Sequence, residues 1–372
     1  MAEGAGNRGV RVRPFRQFVV KVHSRCNLAC DYCYVYEMAD QRWRTRPRVM
    51  SPAVVEHTAE RIAEHARTHG LAEVEVVLHG GEPLLAGPSV VEHVVTAVRS
   101  RVPARFSVQT NGTLLDRRFL EVLLALDVRV GVSLDGDAAA TARHRGSSHA
   151  AVVAGLDLLR EPGFRPLFAG LLSVVDPRND PVRTYEALLA FSPPTVDFLL
   201  PHGNWSAPPP GSGYAAWLIA VFDRWYDAPV RETGVRLFEE VVHVLLGGRS
   251  RVEGVGLSPA LQVVVETDGT IEQSDILASA FEGAAATGLH VARDPFDAAL
   301  RLPDVRARQA GLAGLPAACR ACDLRAVCGG GLRAHRYRDG AGFDRPSVYC
   351  AELYRLIRHV RRRLARDVER VS

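Results

Sequence analysis

Lysine is almost missing from this chain: Lys21 is the single one, and arginine supplies the rest of the 46 cationic residues. A net charge of +4 over 372 residues is too mild for a dedicated nucleic-acid binder, and no nucleic-acid partner is expected. The one basic run, RLIRHVRRRLARDVER near the C-terminus, reads as the solvated face of a terminal helix. No apolar run approaches the roughly 18 residues of a membrane span. The opening MAEGAGNRGVRVRPF lacks the apolar core of a signal peptide, so no membrane partner and a cytoplasmic location are expected. Internal repeats are absent beyond a strand-helix period. Cysteines number seven, an odd total, which argues against a disulfide framework and for metal ligation or catalysis.

What is present is an ordinary globular composition, 47% hydrophobic and 24% charged, long enough for one large domain and a smaller appendage. Short β-branched runs at 18–22, 74–78, 106–110, 128–134, 167–175 and 196–200 predict strands. Amphipathic stretches at 52–69, 89–100, 116–125, 150–160 and 182–190 predict the helices between them. Alternation of this kind implies a parallel α/β sheet, whose chemistry gathers at the C-terminal ends of its strands. HGNWSAPPPGSG at 202–213 predicts an irregular loop, and two helices follow at 214–226 and 235–246. A hairpin about Asp268-Gly269 opens a smaller unit expected to be held less by a core than by its cysteines. The expected division is a flexible tail over 1–14, a barrel over 15–230, linker helices and a cysteine-bearing unit over 231–350, and a basic helix over 351–372. No separate leader-peptide-binding domain is expected at the N-terminus.

After the first strand the chain reads HSRCNLACDYCYVY, placing Cys26, Cys30 and Cys33 on one loop. Three thiolates are one short of a closed zinc site or a fully ligated cubane, so another group must fill the last position. The CxxxCxxC spacing, with Tyr32 before the third cysteine, resembles the signature of the radical S-adenosylmethionine (SAM) superfamily. That resemblance implies a partial (β/α)6 barrel, a [4Fe-4S] cluster on these cysteines and SAM bound to its open iron, with Tyr32 near the adenine. HGGEP then implies that Gly80, Gly81 and Glu82 receive the SAM amino group, the carboxylate accepting from the ammonium. TNG and SLDG segments at strand ends imply that Asn111, Ser133 and Asp135 line the same site. Of Arg143 and Arg145, Arg143 is preferred as the partner of the SAM carboxylate.

The second group, Cys319, Cys322, Cys328 and Cys350, offers enough thiolates to close an auxiliary [4Fe-4S] cluster, although a four-cysteine zinc site would take the same ligands. Its spacing resembles the second half of a SPASM (twitch-like) domain. Thr267, Ser274 and Leu332 stand where a second auxiliary cluster would find cysteines, so one is expected. The segment CGGGLRAHRYRDGAGFDRPSVYC is similar to FxsB-type peptide maturases. That similarity implies an oxidoreductase forming a cyclophane, an aromatic ring carbon joined to a side-chain β-carbon, in a ribosomal precursor peptide, with flavodoxin or ferredoxin as electron donor. Asp268, Asp275, His335 and Asp344 are candidates for the base. The alternatives are a sulfatase-maturase-like enzyme that converts Cys or Ser to formylglycine and, more remotely, a non-catalytic metal-binding scaffold for a peptide.

Overall fold

The structure, a computed structural model, describes residues 12–371; the tail expected over 1–14 falls almost wholly outside them. Strands β1 (Gln17–His23), β2 (Val74–Gly80), β3 (Ala104–Thr110), β4 (Val128–Ser133), β5 (Phe168–Val174) and β6 (Thr195–Leu199) alternate with helices. The helices are α1 (Pro52–His69), α2 (Pro88–Arg99), α3 (Arg117–Ala125), α4 (Ala138–Arg145), α5 (His149–Arg160) and α6 (Pro181–Leu189). Then come α7 (Tyr214–Tyr226), a two-residue β7 (Gly234–Val235), α8 (Arg236–Leu245), β8 (Gln262–Val265), β9 (Thr270–Glu272) and β10 (Ala286–His290). Short helices α9 (Phe296–Leu300), α10 (Pro303–Gln309), α11 (Ala317–Ala321) and α12 (Arg325–Cys328) lead to α13 (Cys350–Val371).

Helix α1 shows how local chemistry sets these boundaries. The Ser51 hydroxyl accepts from the Val54 amide, Pro52 occupies the first turn, and Gly70 ends the helix in a left-handed conformation at φ 60°. Its buried Val55, Ala59, Ile62, Ala63 and Ala66 recur at helical spacing and face the sheet.

The sheet order is β10-β9-β8-β1-β2-β3-β4-β5-β6-β7, parallel from β8 to β7 and antiparallel in the hairpin. This is the expected α/β partial barrel. Parallel pairing brings the C-terminal ends of β1 to β4 to one edge, so the cysteine loop, Gly81-Glu82, Asn111 and Asp135 emerge together.

The later region differs from expectation. Strand β8 pairs with β1, Phe18 opposite Val263, so the hairpin extends the barrel sheet. Val255, Val263, Ile271, Phe296, Leu324 and Tyr349 belong to the same apolar core as Phe18 and Leu78. The unit thus shares the core of the barrel, against which β8 and α9 bury their apolar faces.

Charge fastens this junction. Glu266, just past β8, receives Lys21 Nζ at 2.7 Å and Arg46 Nη1 at 2.7 Å, with both cations nearly buried. Burial alone would depress the Lys21 pKa, but Glu266, Asp275 and Glu272 raise it, so the ammonium is retained. Glu266→Ala leaves the buried Lys21 ammonium without its direct carboxylate partner, while Arg46 keeps Glu272 at 2.5 Å. It should cost about 3–5 kcal/mol, read as a lower denaturant midpoint with an unchanged slope.

Candidate active site

The loop leaving β1 is held by close backbone approach. The Gly81 and Glu82 amides donate to the carbonyls of His23 and Arg25 at 2.9 and 3.0 Å. A β-carbon at Gly80 would lie 2.1 Å from the His23 carbonyl oxygen, and one at Gly81 would lie 2.5 Å from that of Arg25. Glycine is therefore required by the protein itself at both positions. The Glu82 carboxylate is fully buried and committed internally. It accepts from Thr110 Oγ1 at 2.7 Å, the Asn111 amide at 2.7 Å and the Leu84 amide at 3.0 Å. Three protein donors thus hold this carboxylate, and its two oxygens keep capacity for about one more.

Asn111 does reach the cysteine loop. Its Nδ2 donates to Cys26 Sγ at 3.6 Å and to Asn27 Oδ1 at 2.9 Å, while the Leu28 amide donates to the same sulfur at 3.4 Å. Ser133 Oγ accepts from Gln109 Nε2 at 3.0 Å, one strand away.

Asp135 is the hub of a buried triad. It accepts from Tyr32 Oη at 2.5 Å, Arg145 Nε at 2.8 Å and the Val174 amide at 3.1 Å. The Arg145 guanidinium also lies 5.6 Å from the Tyr32 ring centroid. Arg143 instead faces Asp176 at 3.2 Å on the exposed side. Arg145, ranked second from sequence, is thus the arginine that the structure joins to the cysteine loop; only tertiary packing separates two arginines two residues apart on α4.

Burial pushes all three N-terminal thiols up, Cys30 to about 11, with Cys33 adding to the shifts of Cys26 and Cys30 and Cys26 adding to that of Cys30. Isolated, they would stay protonated at neutral pH; a bound cationic centre would reverse that and release protons. Among the described residues, neither cysteine group draws three thiols within 4.8 Å of one another. A single tetrahedral ion with metal–sulfur bonds of ~2.3 Å would hold its sulfurs about 3.8 Å apart. Sets of three and four thiolates suit iron–sulfur ligation, the three-cysteine set leaving one iron open.

The second group sits where α11, α12 and α13 meet, with Cys319 buried and Cys350 exposed. Burial again pushes Cys319, Cys328 and Cys350 up, Cys328 to about 11, with Cys350 and Cys319 adding to it. The glycine run after Cys328 is built for close packing: a β-carbon at Gly329 would meet the Gly256 carbonyl oxygen at 1.6 Å. The buried Arg336 guanidinium donates to the carbonyls of Gly329, Gly330 and Gly331, at 2.6, 2.9 and 2.8 Å. Nothing in the sequence singles out Arg336 for this.

The positions lacking cysteine are filled by packing. Thr267 Oγ1 donates to the Pro47 carbonyl at 2.8 Å, the fully buried Ser274 accepts from Gln262 at 3.0 Å, and Leu332 lies against Gly254.

The four candidate bases separate clearly. Asp344 is exposed, and Asp268 caps its own turn by accepting from the Thr270 amide at 2.9 Å. His335 is buried against His202, their nitrogens 3.2 Å apart, and burial holds its pKa well below the usual histidine range. Asp275 accepts from Tyr34 Oη at 2.5 Å and lies 4.0 Å from His79 Nδ1. Burial would raise its pKa, yet Lys21, His79 and the Tyr34 hydroxyl hold it below the usual carboxylate range. Tyr34, in DYCY, and His202, in the PHGNW loop, are not marked by the sequence reading; an aromatic directly after a candidate ligand cysteine is the available signal.

A sequence profile of the radical SAM superfamily matches residues 20–187. The cysteine-type anaerobic sulfatase-maturating enzyme of Clostridium perfringens is 25% identical over 283 residues, covering 70% of this chain and 74% of its own. The serine-type anaerobic sulfatase-maturating enzyme of Bacteroides thetaiotaomicron is 23% identical over 390 residues, covering 94% and 90%. The solved structure of native anSMEcpe with bound AdoMet and Cp18Cys peptide shares the fold, at a TM-score of 0.81 and 20% identity over 96% of this chain and 99% of that one. These relatives overturn the expected cyclophane-forming assignment, and the FxsB-type subgroup is not supported. The reason is chemical: the resemblance ties the cysteine, GGEP, TNG and SLDG motifs to SAM, which the superfamily shares, and such motifs do not encode what is done to the substrate. The barrel fold, the cysteine loop and the profile over residues 20–187 together identify a radical SAM superfamily domain in this chain.

Proposed function

We propose that this enzyme oxidises the β-carbon of a cysteine or serine in a polypeptide to an aldehyde, giving formylglycine, a reading supported by its similarity to cysteine-type and serine-type anaerobic sulfatase-maturating enzymes. When bound, a [4Fe-4S] cluster and SAM supply a 5′-deoxyadenosyl radical, and one auxiliary cluster supplies an acceptor for the second electron. Cys26, Cys30 and Cys33 would hold the first cluster; Cys319, Cys322, Cys328 and Cys350 would hold the second. The packed surroundings of Thr267, Ser274 and Leu332 support a single auxiliary cluster. Flavodoxin or ferredoxin is the proposed source of reducing electrons.

Asp275 carries this reading. Removing a hydrogen atom, an electron and a proton gives the aldehyde directly from a –CH2–OH group, and from a –CH2–SH group a thioaldehyde that water converts to the aldehyde with release of hydrogen sulfide; either route needs a base for the hydroxyl or thiol proton. Asp275 is a carboxylate kept ionised, and its partner Tyr34 directly follows Cys33, so base and cluster ligand share one loop. Lys21 and His79 keep it charged without ion-pairing it closely. Tyr32, Asn111, Ser133, Asp135 and Arg145 form the proposed wall for SAM, with Asp135 and Arg145 fixing the ring of Tyr32. Gly80, Gly81 and Glu82 fix the backbone at that wall, and Arg143 remains at its exposed rim.

Reconstituted enzyme, given SAM, dithionite and a peptide bearing a sulfatase-type cysteine or serine, should yield a hydrazine-reactive product. SAM cleavage without any aldehyde on either peptide would overturn the reading. Replacing Cys26, Cys30 and Cys33 by alanine should abolish 5′-deoxyadenosine release. Asp275→Asn should lower aldehyde formation about 10²–10⁴-fold while 5′-deoxyadenosine release continues, a split that loss of the fold would not produce.

A further inference from the structure

Far from the cysteine loop lies a group that the reaction does not use. His65 and His69, one helical turn apart, project from the same face of α1 with ring centroids 4.6 Å apart. Both meet Asp297 in the first turn of α9: His65 Nδ1 is 2.6 Å from Oδ1, and His69 Nε2 is 3.0 Å from Oδ1 and 3.1 Å from Oδ2. His65 packs against Phe15 and Phe18 at the start of β1, with ring centroids 5.8 and 5.9 Å away. The cysteines follow the other end of that strand, roughly 20 Å along for seven residues.

We propose that His65, His69 and Asp297 bind a divalent transition-metal cation, zinc by the chemistry of the donors, as a clasp between α1 and α9. Their ligand atoms all lie within 4.8 Å of one another, the one such trio among the described residues. Two imidazoles and a carboxylate are a familiar three-ligand set for zinc, leaving a fourth position to water. Access exists on one side: the His69 and Asp297 side chains are 27% and 28% exposed, whereas His65 is 1% exposed.

The hydrogen bonding of His65 favours the metal over a plain clamp. With Nδ1 turned to Asp297, Nε2 is buried and has no hydrogen-bond partner. A cation on Nδ1, shared with an Asp297 oxygen, gives the buried imidazole a strong ligand bond on the side where the three donors converge.

The test uses holoenzyme whose cysteines already carry iron–sulfur clusters, stripped with EDTA and titrated with Zn2+ against a chromophoric chelator. Wild type should bind one more zinc per chain than His69→Ala or Asp297→Asn, and its unfolding midpoint should rise by a few degrees with zinc while theirs does not. Zinc X-ray absorption should show nitrogen and oxygen neighbours at ~2.0–2.1 Å and no sulfur shell near ~2.3 Å. Both variants should still release 5′-deoxyadenosine, which separates loss of this site from loss of the fold or failure of the proposed reaction. Equal zinc uptake by all three proteins, or a sulfur shell, would overturn the proposal.

Discussion

The cysteine loop can do its work only because it is pressed against the end of β2 and locked there. Two glycines permit that approach, and the buried carboxylate of Glu82 then ties the turn to Thr110 and Asn111 at the end of β3. An unpaired carboxylate in that position would be costly, and three protein donors remove the cost. Asn111, held by its own amide, then aims its side chain at Cys26. One buried acidic group thereby sets the relative position of three strand ends, and with them the place where SAM chemistry is expected.

Electrostatics divides the interior into two regimes. Around both cysteine groups, burial and mutual repulsion favour neutral thiols, an arrangement at ease only when a cationic centre binds the thiolates. Around Asp275 the balance is opposite: Lys21 and a tyrosine hydroxyl keep a deeply placed carboxylate charged. Lys21 is the only lysine in an arginine-rich chain, and a compact ammonium suits a strand interior where it must serve Glu266 and Asp275 from one point. The neutral His202–His335 pair beside Tyr34 continues the polar interior toward the C-terminal cysteines.

Much of the fold was legible because it rests on local period and punctuation. The strands from 18–22 to 196–200 and the helix over 52–69 fall where their patterns place them. The hairpin turn at Asp268-Gly269 was likewise readable, but its pairing with β1 was not, since parallel contact between residues 18 and 263 leaves no local trace. The metal-type cysteines announced themselves by spacing. The choice of Arg145 over Arg143, the internal use of Glu82 and the grip of Arg336 on three glycine carbonyls depend on tertiary packing, and no periodicity reports that. The substrate was misread for a further reason: motifs shared across the superfamily record how SAM is held, and the C-terminal similarity did not specify the bond to be broken.

The central claim is that both cysteine groups hold iron–sulfur clusters and that only the N-terminal one keeps a metal corner open. Mössbauer spectroscopy of anaerobically purified enzyme, with and without SAM, tests it most directly. Two [4Fe-4S] centres should account for about eight irons per chain, and SAM should alter one iron site of one cluster while leaving the other spectrum unchanged. A protein carrying zinc on its cysteines without labile sulfide, or two clusters both indifferent to SAM, would contradict it.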